Sequence, residues 1–195
     1  IALAIDDGPS IYTAEALDTF KKKDVPVTFF VLGSRITAEK KLLKRMIAEG
    51  HVIGNHSWNH PQFWHMTSAQ IKSQLTRTTK LIKKFSGTTP TLVRPPYGQS
   101  NAGIRKVFKS LGMSQVLWSV DPEDWKVKDT ATVVQRVVSA TRRGSIILTH
   151  DVYDTTVKAY PKIIDKLRKK GYVFVTVPEL FGDKMKAGVN YSQRN

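Results

Sequence analysis

Five short clusters combine residue types that can bind a cation, move a proton or hold a charge. The first is Asp6-Asp7-Gly8-Pro9. Successive side chains on a strand point oppositely, so adjacent carboxylates at a strand end can divide their work, one binding a cation and one acting as base. Aspartate before Gly-Pro is also ordinary turn chemistry. The second cluster, His56-Ser57-Trp58-Asn59-His60, sets two imidazoles at i and i+4. On a helical turn that spacing puts both on one face, able to share a metal. Joined by one carboxylate they make a His₂–Asp set with positions left for water and substrate. That composition suits zinc, cobalt or ferrous iron better than magnesium or calcium.

The third cluster, Arg94-Pro95-Pro96-Tyr97-Gly98, is stiffened by its prolines. Arg94 has a planar, permanently charged head suited to holding a carboxylate. Tyr97 can offer a backbone N–H to a developing oxyanion. The fourth, Asp121-Pro122-Glu123-Asp124-Trp125, puts carboxylates beside an aromatic wall. The fifth is His150-Asp151. A histidine hydrogen-bonded to a carboxylate can serve as general acid. Singly, each cluster has a plainer explanation as a rigid loop, a helix cap or a satisfied histidine.

The elements that must position these residues are legible as seven apolar runs: Ile1–Ile5, Val27–Leu32, His51–Ile53, Thr91–Val93, Gln115–Trp118, Ser145–Leu148 and Tyr172–Thr176. Most are short, β-branched or aromatic, and not alternating, as expected of parallel strands covered on both faces. Between them lie helical stripes. Ile71, Leu75, Thr78, Ile82 and Phe85 follow a capping box at Thr67 and Gln70 and precede Gly87. Leu42, Leu43, Met46 and Ile47 form another stripe, and Asp129 opens one at Val133, Val134, Val137 and Val138. Ile104, Val107, Phe108 and Leu111 precede Gly112; Ile163, Ile164 and Leu167 precede Gly171. Such alternation indicates an α/β fold, either a closed barrel or an open doubly wound sheet. Asp6-Asp7-Gly8-Pro9 stands where a glycine-rich dinucleotide loop would follow the first strand. In a parallel α/β fold the C-terminal strand ends share one face, so clusters placed after the strands converge.

The chain has 195 residues, 31 lysines and arginines, 16 aspartates and glutamates, 5 histidines and no cysteine. The length suits one domain. Zero cysteine excludes a disulfide scaffold, a thiolate zinc site and a cysteine nucleophile. No apolar run approaches the roughly 18 residues of a membrane span. The formal charge of +15 favours polyanionic partners. No helix-turn-helix, zinc-finger or RNP signature points to nucleic acid. The chain opens at Ile1 inside a strand run, with no methionine or signal segment, which suggests a fragment or processed form. The polar stretch 182–195 reads as a loosely ordered tail, leaving residues 1–181 as the domain.

Taken together, the order and spacing of the five clusters resemble the NodB-homology domain of polysaccharide deacetylases, carbohydrate esterase family four, over Ile1 to about Phe181. The resemblance implies a distorted (β/α)₇ barrel and a divalent metal, zinc or cobalt. Asp6 matches the catalytic base, and Asp7, His56 and His60 match the metal ligands. Arg94 matches the arginine that orients the base, and Tyr97 the residue whose backbone N–H holds the oxyanion. Asp124 and His150 match the carboxylate–histidine pair of the general acid. Trp125 and Leu148 match the walls of the acetyl pocket. Ala4-Ile5 stands where the family usually has Thr-Phe, and Thr149 where an aliphatic residue is common; neither touches a proposed catalytic group.

The resemblance also implies hydrolysis of N-acetyl groups on a polysaccharide, with Trp58, Phe63, Trp64, Tyr97 and Trp125 offering flat surfaces to sugar rings. The segment from Asp151 to Leu180 is similar to peptidoglycan N-acetylglucosamine deacetylases of Gram-positive bacteria. Peptidoglycan in an anionic wall is therefore the expected substrate, and a monomer acting outside the membrane the expected form. An acetylxylan O-deacetylase and a chitin or chitooligosaccharide deacetylase are the rival enzymes. A silent glycan-binding module would be expected to have lost one of these site residues.

Overall fold

The computed structural model describes residues 1–182 and 184–194 of the chain. Seven strands form one sheet: β1 (Ala2–Asp6), β2 (Thr28–Val31), β3 (Val52–Asn55), β4 (Leu92–Val93), β5 (Ser114–Val116), β6 (Ile146–His150) and β7 (Asn190–Tyr191). Their order is β6-β1-β2-β3-β4-β5-β7, and every pair is parallel. The two ends of the sheet meet through isolated bridges, Val120 with Ile147 and Ser145 with Gln193. The result is a distorted (β/α)₇ barrel in one domain. Among the described residues no helix is long and apolar enough to cross a membrane.

The helices are α1 (Thr13–Lys23), α2 (Gly33–Ile36), α3 (Lys40–Ala48), α4 (Ser68–Ser86), α5 (Ala102–Ser110), α6 (Asp124–Val127), α7 (Thr130–Ala140), α8 (Asp154–Val157), α9 (Tyr160–Lys169) and α10 (Val177–Leu180). The expected α4 is realised with its reciprocal capping box at Thr67 and Gln70 and a left-handed Gly87 at its end. Each such cap stabilises a helix by about 1 kcal/mol. Its Ile71, Leu75, Thr78 and Ile82 are buried, as the spacing requires.

Alternation along β1 divides the core. Leu3 and Ile5 face outward into a cluster with Leu17, Phe20, Phe29, Leu43, Val137 and Ile163. Ala2 and Ala4 face inward with Phe30, Leu92, Val116 and Ile146, and Val177 and Leu180 join them. Asp6 continues the Ala2–Ala4 side of the strand, so the pleat carries its carboxylate to the barrel interior. Gly54 is required opposite Phe30: a Cβ there would lie 2.5 Å from the Phe30 ring.

Two expectations are corrected. Tyr172–Thr176 does not form the seventh strand. Ile1 N–H donates to Val173 O at 3.0 Å and Val175 N–H to Ile1 O at 3.0 Å. Thr176 then caps α10 in a second capping box with Glu179, which ends the extended path. The seventh strand comes from the stretch expected to be a loose tail: Gln115 N–H donates to Val189 O at 2.9 Å and Leu117 N–H to Tyr191 O at 2.8 Å. Of that tail, Asp183 and Asn195 lie outside the described residues.

Candidate active site

All five clusters meet at the C-terminal ends of the strands, around a cavity of about 410 Å³. Asp6, Asp7, His56, His60, Tyr97, Trp125, Leu148 and His150 line it, with Arg94 and Asp124 immediately behind. Asp6 is 2% exposed, and its Oδ1 accepts from Arg94 Nη1 at 2.8 Å. Arg94 is itself fully buried, with Nε donating to Val116 O at 3.1 Å and Nη2 to Leu117 O at 3.0 Å. Its guanidinium lies 4.4 Å from the Phe30 ring centroid. Burial pulls the Arg94 pKa down, and the Asp6 carboxylate opposes that.

Asp7 turns away from its neighbour through a left-handed backbone, φ 71°. Its Oδ1 lies 3.5 Å from His56 Nε2 and 3.8 Å from His60 Nε2. The two histidines are not on a helical turn, as the i,i+4 spacing suggested. Ser57 and His60 both have positive φ, and the segment is held as a tight irregular turn. Ser57 N–H donates to Asn55 Oδ1 at 2.9 Å, His60 N–H to Ser57 Oγ at 3.0 Å, and Trp58 N–H to Gln74 Oε1 of α4 at 2.8 Å. Of the seven non-glycine residues with positive φ among the described residues, Asp7, His60 and Tyr97 line the cavity, and Ser57 and Glu123 adjoin the site residues His56 and Asp124 in the chain. Strained backbone of this kind persists where surrounding bonds over-determine it.

Asp7, His56 and His60 fit a divalent cation. One ligand atom from each lies within 4.8 Å of the others. Asp7 Oδ1 is buried without a hydrogen-bond partner, which is costly unless something else neutralises it. His56 Nδ1 lies 2.7 Å from Arg94 O, a contact that puts the proton on Nδ1 and leaves Nε2 free to ligate. Burial, followed by His56, lowers the pKa of His60 and favours the neutral imidazole that a metal needs.

Across the cavity, His150 Nδ1 lies 2.7 Å from Asp124 Oδ1 and its backbone N–H donates to Asp124 Oδ2 at 2.8 Å. Thr156 Oγ1 and Trp125 N–H also donate to Asp124, at 2.9 and 3.0 Å. Burial opposes a charge on His150. The hydrogen bond and charge of Asp124, with Asp6 and Asp7, outweigh burial and raise its pKa to about 9.

Trp118 and Tyr153 also line the cavity and were not singled out from the sequence. Their aromatic type was the only available signal. Phe63, expected to stack on sugar, is 1% exposed and packs on Phe108 in the core. Trp58 is covered by Arg77, 4.0 Å above its ring, and does not line the cavity. Trp64, Tyr97 and Trp125 remain exposed.

The profile of the family described as "Polysaccharide deacetylase" matches residues 1–116, more than half of the chain. The chain belongs to this family. This polysaccharide deacetylase domain is 41% identical, over 98% of its length, to the peptidoglycan-N-acetylglucosamine deacetylase PgdA of Listeria monocytogenes, covering 41% of that protein. It is 45% identical, over 92% of its length, to the peptidoglycan-N-acetylmuramic acid deacetylase PdaC of Bacillus subtilis, covering 38% of that protein. The chain thus spans about two fifths of these curated relatives. Among solved structures it superposes on a family 4 acetyl xylan esterase from Clostridium thermocellum in complex with a cobalt ion. That match has a TM-score of 0.92 and 33% identity, and covers 98% of this chain and 97% of that one.

Proposed function

We propose that this domain is a metal-dependent hydrolase that removes N-acetyl groups from amino sugars of peptidoglycan, releasing acetate. The observation that carries the reading is the opposition of two buried pairs, Asp6–Arg94 and Asp124–His150, across the Asp7–His56–His60 triad. A zinc or cobalt ion held by that triad would polarise the acetyl carbonyl and supply a water acidic enough to attack it.

The chain's own groups divide the proton work. Asp6, held by Arg94, accepts the proton of the attacking water. Its Oδ2 lies 3.5 Å from His56 Nε2, beside the metal set. His150 carries a proton on the nitrogen opposite Asp124 and gives it to the departing amine, which cannot leave as an anion. The Tyr97 backbone N–H donates to the oxyanion. Trp125 and Leu148 wall the acetyl methyl.

The names of the two bacterial relatives support peptidoglycan as the polymer, and we place the enzyme outside the membrane, at an anionic wall, acting as a monomer. O-deacetylation of xylan is the second reading, favoured by the superposition on the acetyl xylan esterase. The test is acetate release, with zinc or cobalt supplied, from peptidoglycan, N-acetylglucosamine oligomers and acetylated xylan side by side. Release from the amino sugars that stops with a chelator is expected; release from xylan alone would move the assignment to an O-esterase.

A further inference from the structure

We propose that the face opposite the catalytic mouth is a docking surface for a polyanionic polymer. Parallel strand–helix topology sends every long helix antiparallel to the strands, so helix C-termini collect at the base of the barrel while the site lies at the mouth. Three neighbouring helices end there in cations. Lys21 and Lys22 end α1, Arg142 and Arg143 follow α7, and Lys169 and Lys170 close α9; all six are exposed.

These ends are joined into one patch. Lys23 Nζ meets Asp165 Oδ1 at 2.7 Å and Arg168 Nη2 donates to Asp24 O at 2.9 Å, tying α1 to α9. Lys170 Nζ donates to Val138 O at 2.9 Å and Tyr172 Oη to Thr141 O at 3.2 Å, tying α7 to α9. Among the described residues, the acids at these three helix ends are Asp24 and Asp165, and Lys23 already holds Asp165. The mouth differs: its carboxylates Asp6, Asp7 and Asp121 line the cavity beside His56, His60 and His150, with Arg94 on Asp6, and among the described residues it carries no comparable run of exposed cations. A polyanion drawn to the base leaves the cavity open to a glycan on the other side.

A polymer is favoured over a lipid surface. Membrane-surface binding uses aromatic or large apolar side chains beside the cations. The exposed aromatics, Trp64, Tyr97 and Trp125, belong to the segments that follow the strands, at the mouth, and beside the patch the exposed apolar side chain among the described residues is the small Val173. The polymer's place in a cell wall rests on the reading above; the binding itself does not.

The test uses the full 195-residue chain. Four cations of the patch are neutralised together: Lys22, Arg143, Lys169 and Lys170, each →Gln. A control carries Lys44, Lys72, Lys80 and Lys106, each →Gln, with the same change in net charge on other exposed helix positions. Binding to poly(glycerol phosphate), and to phosphatidylglycerol vesicles, is measured against salt. The patch variant is expected to bind the polymer about tenfold or more weakly with a shallower salt dependence, whereas the control binds like the parent. Acetate release from a neutral N-acetylglucosamine oligomer should be equal in all three chains. Equal weakening in both variants would overturn the patch in favour of net charge alone. Tight binding to vesicles without binding to the polymer would overturn the polymer in favour of a membrane. Polymer binding that persists without any acetate release would sustain this inference and sink the deacetylase reading.

Discussion

His51 and His150 are both withdrawn from solvent, at opposite ends of the barrel, and burial has opposite outcomes for them. His51 sits at the base, 4% exposed, against the edges of Phe20 and Phe29. Its Nδ1 accepts from Val27 N–H at 3.2 Å. Burial pushes its pKa down to about 4, with Glu49 opposing and Arg45 adding to the shift. His150 sits at the mouth, and Asp124, Asp6 and Asp7 overcome its burial to raise it to about 9. Burial alone therefore does not set a histidine's charge; a carboxylate within hydrogen-bond reach does. Beneath its charged surface, the interior of the base packs apolar side chains around a neutral His51. The mouth gathers charges that only their partners make tolerable.

The largest expected effect tests the mouth directly. His150→Ala should lower turnover of an N-acetylated oligomer by about 10²–10⁴ while zinc still binds. His56→Ala should lose the zinc itself, measured by equilibrium dialysis. Equal metal loss in both variants would break the division between acid and ligand.

Next comes the Asp6–Arg94 pair. Arg94→Met strands a buried carboxylate and should cost about 3–5 kcal/mol in urea denaturation. Asp6→Asn with Arg94→Met should cost less than Arg94→Met alone. An additive double variant would mean that the pair is not coupled.

Stability against pH separates the two histidines. The folded pKa of His51 lies below its unfolded value near 6.5. Its contribution is complete above about pH 6.5 and is lost as pH falls toward 4. The folded pKa of His150 lies above its unfolded value. Its contribution is complete below about pH 6.5 and is lost as pH rises through 9. Each limb should be on the order of 3 kcal/mol in the metal-free chain. His51→Leu should flatten only the acid limb, and His150→Ala only the alkaline one. A bound cation offsets the charge of Asp7, so the alkaline limb should move to lower pH when zinc is added.

The smallest effect sharpens the contrast from outside. Lys158 Nζ pairs with Asp154 Oδ2 at 2.7 Å, exposed and on one helix face. Lys158→Ala should leave the urea denaturation midpoint essentially unchanged, because water screens the pair. A lowered midpoint would mean that charge near the mouth matters even where water screens it.

Much of this was legible before folding was considered. The stripe from Ile71 to Ile82 and the caps at Thr67 and Gly87 became α4 because helix periodicity and capping are local. Six of the seven strand positions were readable because buried parallel strands are apolar throughout. The seventh was not. Asn190–Tyr191 is held by backbone bonds from Gln115 and Leu117, which leave no hydrophobic signature. Phe63 and Trp58 were misread because an aromatic residue looks the same whether it faces a sugar or a core.

By itself, the sequence determined the chemical vocabulary of the site: two carboxylates, two spaced imidazoles, a rigid arginine, and a late histidine with a carboxylate before it. Residue type and short spacing are properties of the chain alone. Only the tertiary structure decided how the vocabulary is used. It turned Asp7 away from Asp6 through a left-handed backbone, brought Arg94 to 2.8 Å from Asp6 across 88 residues, and joined Asp124 to His150 across 26. Those pairings follow from sheet register and strained turns. Both depend on contacts distant in sequence, which local residue patterns do not encode.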